Sequence, residues 1–152
     1  MSYPTYDAPQ PDVFVSKRLA NDPGEATALI SAVRARLEEG ERLYCILAIC
    51  KIAPPLEVLM VTDRRVLAED RADLARTDKD WSVQLVAADV DRIEVTGFMD
   101  NVKFVLANGD DLKVGNLWDA DDEETLRAAV RTAQSGEGTR DEGPPTYELY
   151  QP

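Results

Sequence analysis

The apolar positions of this chain keep one period, then another, then return to the first. Ala26, Leu29, Ile30, Val33 and Leu37 recur at helical spacing. Just before them, Asp22-Pro23-Gly24-Glu25 supplies an N-cap acid, a proline at the first helical position and a glutamate three residues after the cap. Gly40 supplies a stop, so a helix is predicted over 23–39, laying one apolar stripe on the core. From Arg42 the period is that of strands. Residues 43–50 are apolar on both faces, which predicts a strand sandwiched between the core and a covering element, for which the first helix is the candidate. Pro54-Pro55 ends it, and residues 56–61 and 65–68 then flank the turn chemistry of Thr62-Asp63, predicting a tight hairpin. Residues 70–80 form a charged connection, read as too polar to bury. Trp81, Val83 and Leu85 alternate with Ser82 and Gln84 as a half-buried strand, and 90–95 alternates less cleanly through Asp91, Arg92 and Glu94. Asn108-Gly109 between 102–107 and 112–114 predicts a two-residue turn and completes seven strands. A second helix follows: Asp121 and Glu124 make a capping pair, Leu117 and Trp118 anchor its start, and Leu126, Ala129, Val130 and Ala133 form its stripe.

The two ends lack this periodicity. Residues 1–21 read as a flexible Pro/Tyr-rich segment in which only Val13-Phe14-Val15 offers something to dock. Residues 135–152 run from a Gly-rich linker into Pro144-Pro145-Thr146-Tyr147-Glu148-Leu149-Tyr150-Gln151-Pro152, a flexible Pro/Tyr-rich tail. The expected folded domain is thus 22–134, mainly β with a helix at each end. Antiparallel strands in consecutive hairpins bury one common core if the sheet bends across itself and the closing helix plugs an open end.

The run Val61-Thr62-Asp63-Arg64-Arg65-Val66-Leu67 resembles the T-D-x-R-hydrophobic hairpin of bacterial pleckstrin-homology-like domains, with a match extending over roughly residues 40–134. The resemblance implies a seven-stranded bent antiparallel sheet or barrel closed by a C-terminal helix, to which the helix at 23–39 is an addition. It also implies self-association, a habit of many bacterial members. Phosphoinositide-binding members of that superfamily carry a basic loop between their first two strands. Here the matching loop reads Lys51-Ile52-Ala53-Pro54-Pro55-Leu56-Glu57, and one lysine is not a phosphate cradle, so lipid binding is not expected. Within Thr62-Asp63-Arg64-Arg65, the two arginines face opposite sides of the strand. One is expected to pair with a carboxylate such as Asp63 or Asp89 while its neighbour meets solvent, a structural role.

Charge narrows the function classes. Lys and Arg number 17 against 29 Asp and Glu, a formal net charge of -12, with no stretch that concentrates the positive residues. Nucleic acid and anionic membrane both need a basic footprint and are poor partners for such a chain. The apolar run 43–50 falls far short of the roughly 20 residues of a membrane-spanning helix, the first residues have no signal-peptide pattern, and the expected location is cytoplasmic. Cys45 and Cys50 point to opposite faces of one strand and read as small buried hydrophobes. The chain contains no histidine, which removes the commonest general base, the commonest metal ligand and every Ser-His or Cys-His nucleophile pair. Gly136 and Gly138 follow a helix, not a strand, and make no phosphate loop. The acidic run Asp119, Asp121, Asp122, Glu123 and Glu124 suits a helix N-terminus; an EF-hand reading fails, with Glu124 at the glycine position and Val130 at the final glutamate position.

No enzyme, metal site or cofactor is therefore expected. The reading is a binding or self-assembling module that acts through protein–protein contacts, as a homo-oligomer or with another protein. The alternative is a regulatory docking protein whose tails recruit: Pro144, Pro145 and Tyr147 match the P-P-x-Y form recognised by aromatic grooves, and Tyr147 and Tyr150 are accessible to modification.

Overall fold

The computed structural model describes residues 13–97 and 99–136. Its elements are β1 (Phe14–Val15), α1 (Pro23–Arg34), β2 (Leu43–Ile52), β3 (Pro55–Thr62), β4 (Arg65–Glu69), β5 (Val83–Val86), β6 (Val90–Thr96), β7 (Asn101–Leu106), β8 (Asp111–Leu117) and α2 (Asp122–Ser135), with short 3-10 turns at Lys17–Leu19, Arg71–Asp73 and Ala87–Asp89. The protein is mainly β. The strands lie in the order β5-β4-β3-β2-β8-β7-β6, every neighbouring pair antiparallel, and β1 adds to β2 in parallel. That makes eight strands where the sequence pattern suggests seven, and the sheet does not close into a barrel: β5 and β6 are its two ends. The extra strand has no periodicity to betray it, because two residues become a strand only through their partners, Phe14 against Cys45 and Val15 against Ile46.

The ten-residue β2 is the axis of the molecule. It pairs with β3 from Leu43 to Ile52, with a register shift between Ala48 and Lys51, and within that shift, at Ile49 and Cys50, it pairs with β8, so the sheet bends along it. At the crossing, Gly115 has φ +99°, and a side chain there would collide with the Cys50 carbonyl. Leu47 and Ile49 face the concave side with Tyr44 and Cys45, whereas Leu43, Ile46 and Ala48 face the other side. A register shift between Leu43 and Cys45 lets the neighbours Tyr44 and Cys45 share a face.

Two apolar layers result. The inner one joins Leu59, Val61, Val66, Phe104 and Val114 to Leu126, Ala129 and Val130, with α2 laid over the concave side. The outer one sets Ala26, Leu29, Ile30 and Val33 of α1, together with Val13, Val15 and Leu19, against Ile46, Val58, Met60 and Leu67. The two-faced strand is thus covered within one chain, by α1 as the pattern suggests and also by residues 13–20. The outer face of β2 consequently offers no surface to a second copy.

Helix α1 starts where its local signals place it. Asp22 accepts from the Glu25 backbone N–H at 2.9 Å, and Glu25 Oε1 accepts from the Asn21 N–H at 2.6 Å. It ends at Arg34, short of the expected Glu39: Arg36 and Leu37 donate to the carbonyls of Val33 and Arg34, a tighter winding that turns the chain out of the helix. Helix α2 starts at Asp122 without the expected capping pair, since Asp121 makes no side-chain cap bond. The turn after β7 is four residues long, with Gly109 alone at positive φ (+95°) among the loop residues 107–110.

Candidate functional site

The hairpin motif Thr62-Asp63-Arg64-Arg65 folds into a buckle between the β3–β4 turn and the segment joining α1 to β2. Thr62 Oγ1 accepts from the backbone N–H groups of Arg64 (3.1 Å) and Arg65 (2.9 Å) and donates to Glu41 Oε2 at 2.6 Å. Asp63 Oδ1 accepts from the Arg42 N–H at 2.9 Å, and the Asp63 N–H returns the bond to Arg42 O. Arg65 grips Glu41 through Nε (2.9 Å) and Nη2 (2.6 Å) and reaches Gln84 with Nη1. Arg64, half exposed, pairs with Glu38 at 3.1 Å and lies 3.9 Å from Asp63. The motif's charged groups are answered within the chain, and the principal acid is Glu41 rather than the expected Asp63 or Asp89; residue order places it 24 positions from Arg65, and sequence reasoning missed it. Burial pushes the Glu41 carboxyl up. The bonds from Arg65, Thr62 and the Glu38 N–H overcome that and hold it below the usual carboxylate range.

A second ionic cluster ties the connection 70–82 to the outer layer, correcting its reading as too polar to bury. Leu74 and Trp81 are buried there, and Trp81 belongs to this layer rather than to the strand that follows it. Arg36 lies flat on the Trp81 ring, 3.8 Å from its centroid, and donates to the carbonyls of Asp73, Leu74 and Lys79. It meets Glu69 at 3.1 Å with side chains 2% and 0% exposed. Glu69 also holds Lys79 and accepts from the Ser82 hydroxyl. Burial drives the Glu69 carboxyl up, and bonds from Ser82, Lys79, the Asp70 N–H and Arg36 bring it below its ordinary value. Every charge here is answered within the chain, which suits a structural clamp rather than a reacting centre.

The remaining candidates resolve quickly. Lys51 folds back to donate to Ala53 O at 3.1 Å. Cys45 is buried, Cys50 half-buried, and both are free thiols. Asp122, from the acidic run, is buried in the first turn of α2 with Oδ2 unpartnered. Burial raises its pKa to about 6, with the Ser16 hydroxyl pulling it down and the charges of Asp119 and Asp121 adding to the rise. Among the described residues no group of three or more His, Cys, Asp or Glu could hold a metal ion, and no helix is long and apolar enough to cross a membrane. Leu117 is buried as an anchor for α2, whereas Trp118 is half exposed with Arg18 stacked 4.1 Å from its centroid. A groove of about 320 Å³ between α1 and the 3-10 turn Arg71–Asp73 is lined mainly by alanines, with Glu25 and Arg71 as its charged members. Pro144, Pro145, Tyr147 and Tyr150 lie outside the described residues.

What no sequence pattern announced is the open corner of the sheet. β5 and β6, its two unpaired edges, are joined by the turn Ala87–Asp89, and Gln134 of α2 secures that turn by donating to Ala87 O (3.1 Å) and Val90 O (2.7 Å). The corner is fixed in place, and among the described residues both edges keep one side without a strand partner. No protein-family model matches the chain, and no curated protein matches it.

Proposed function

We propose that this chain is a non-enzymatic binding module of the pleckstrin-homology-like kind, acting through protein–protein contacts. The observation that carries the reading is the open corner: two edge strands with no strand on their outer side among the described residues, held by α2 and by two packed layers. Such an edge offers a partner main-chain hydrogen bonds, and the side chains beside it add selectivity. Support for the family comes from the meander of β2 to β8 followed by one helix over the concave side, the arrangement the Thr62–Arg65 motif implies. Contacts between copies, where they form, use an edge or the exposed loops, because the outer face of β2 is covered by α1.

The test is capture of partners by the full chain from native lysate, with contacts mapped by cross-linking. It is run beside a full-length variant carrying Pro145→Ala and Tyr147→Ala. Partners retained by the variant and cross-linked within 13–136 support the reading. Partners lost with it overturn the reading in favour of recruitment by the tail.

A further inference from the structure

The two free edges are not equally protected. β6 presents Asp91, Arg92 and Glu94, with Arg92 paired to both acids and Glu94 also held by Lys103 of β7, and its ladder shifts register between Val90 and Arg92. Charge and irregularity of this kind keep an edge from accepting another strand. β5 reads Val-Gln-Leu-Val, carries no charge, pairs in regular register with β4, and ends in Val86, 54% exposed. Its backbone orientation follows from one bond: Ala87 donates its N–H to Arg64 O, so the alternation of an antiparallel strand turns Leu85 and Val83 towards β4 and the N–H groups of Gln84 and Val86 and the Gln84 C=O outward, while the Val86 C=O caps the 3-10 turn Ala87–Asp89. Exposed acids without ionic partners among the described residues stand at both ends, Asp80 before the strand and Asp89 after it. Arg65, the register partner of Val86 on β4, is taken by Glu41.

We propose that the free edge of β5 docks an extended segment of a partner protein, apolar or β-branched through its middle and basic at both ends. This rests on the binding-module reading and adds to it the surface and the chemistry of the partner. The charge of the chain, -12, favours a basic segment. A second copy fits poorly: antiparallel pairing through the outward groups of Gln84 and Val86 would bring Asp80 of one copy within one register position of Asp89 of the other at both ends, like charges side by side. The chain's own last residues fit poorly too, since 141–152 hold no Lys or Arg.

The probe is the blocked peptide Arg-Val-Thr-Val-Thr-Arg, added to the full chain while backbone amide exchange is followed residue by residue. Slowed exchange at Gln84 and Val86 is expected, and replacing the two terminal Arg residues by Glu should weaken binding by about tenfold or more, since reversal turns two exposed charge attractions into repulsions. Val86→Pro removes one outward donor at a residue whose φ, −71°, proline accepts, so the fold should persist while affinity falls about fivefold, the loss of one hydrogen bond. No slowing at Gln84 and Val86 under millimolar peptide, or equal affinity for the Glu-ended peptide, overturns the proposal. A lysate partner held equally by the wild type and by Val86→Pro also overturns it, yet leaves the binding-module reading standing. Dimerisation that Val86→Pro abolishes would assign the edge to a second copy instead.

Discussion

The two layers on either side of β2 are built by different means. The inner layer, under α2, is held by apolar contact, and the polar groups that enter it are left over: Tyr44 OH, Thr125 Oγ1 and Asp122 Oδ2 are buried without a hydrogen-bond partner among the described residues. The outer layer is apolar beneath α1, but its rim is clamped by Arg36 and Glu69, whose many donors and acceptors are answered. Buried charge is tolerable when paired and hydrogen-bonded and costly when half of the pair is missing. The same kind of change should therefore act in opposite directions on the two sides: removing a polar group harms the outer layer and relieves the inner one.

The largest effect is expected at Arg36. Arg36→Ala removes the cation from the fully buried Glu69, three carbonyl contacts and the cover on Trp81, and should destabilise the protein by about 3–5 kcal/mol, read from urea unfolding. A loss below 1 kcal/mol would show that the clamp is decoration on an apolar layer and would erase the contrast. Next comes Asp122, with the sign reversed. Because its folded pKa is raised to about 6 from an ordinary 3.8, its contribution is full below the ordinary value and is lost as pH rises through 6. Asp122→Asn should match the wild type near pH 4 and exceed it by up to about 3 kcal/mol near pH 8, from a shift of roughly two pKa units. Glu41 and Glu69, both depressed, act at the other limb: their contribution is present above the usual carboxylate range and lost as pH falls through their lowered values. A wild-type stability profile that keeps rising from pH 5 to pH 8 would contradict the assignment at Asp122.

How far each layer was legible follows from the range of its signals. Helix α1, the β3–β4 hairpin and the alternation of Val83 and Leu85 rest on neighbours within a few residues, and the sequence shows them. The outer clamp does not appear in the sequence, because Arg36 meets Leu74 and Lys79 across 38 and 43 positions, so the stretch 70–80 looked merely polar. Its charges neutralise one another only once the chain is folded. The early end of α1 belongs to the same event, since the winding past Arg34 accompanies the reach of Arg36 into that connection. β1 escaped for want of length, and the open corner because hydrophobic pattern reports which face of a strand is buried but not which edge is left unpaired. The motif at Thr62–Arg65 was legible as a tight hairpin, though its buckle to the α1–β2 segment and its main acid, Glu41, were not.

A smaller effect sharpens the outer side. Thr62→Val keeps the shape of the side chain but leaves the N–H groups of Arg64 and Arg65 and the Glu41 carboxylate each short of a partner. The expected cost is about 1–3 kcal/mol. Adding Glu41→Gln should then cost less than it does in the wild type, because the two residues belong to one network and their effects should not add. Additive losses would mean that Thr62 and Glu41 serve separate purposes despite the 2.6 Å between them.

The smallest expected effect is the most telling for the inner layer. Tyr44 is fully buried, and burial, with the nearby Asp63 charge adding to it, lifts its hydroxyl to a pKa of about 12, so the group stays neutral across the physiological range. Its OH finds no partner among the described residues. Tyr44→Phe deletes that unmet group while the ring goes on filling the same space, so no large cavity opens and the desolvation penalty of the hydroxyl disappears. The change should be neutral or stabilising by up to about 1 kcal/mol, seen as an unchanged or raised thermal midpoint. The contrast with Arg36 lies in the sign: a polar atom lost from the outer rim breaks a paired arrangement, whereas one lost from beneath α2 leaves only apolar contact behind. If Tyr44→Phe instead cost as much as Thr62→Val, the hydroxyl would be bonded in solution, and the inner layer would be specified by polar contacts in the same way as the outer one.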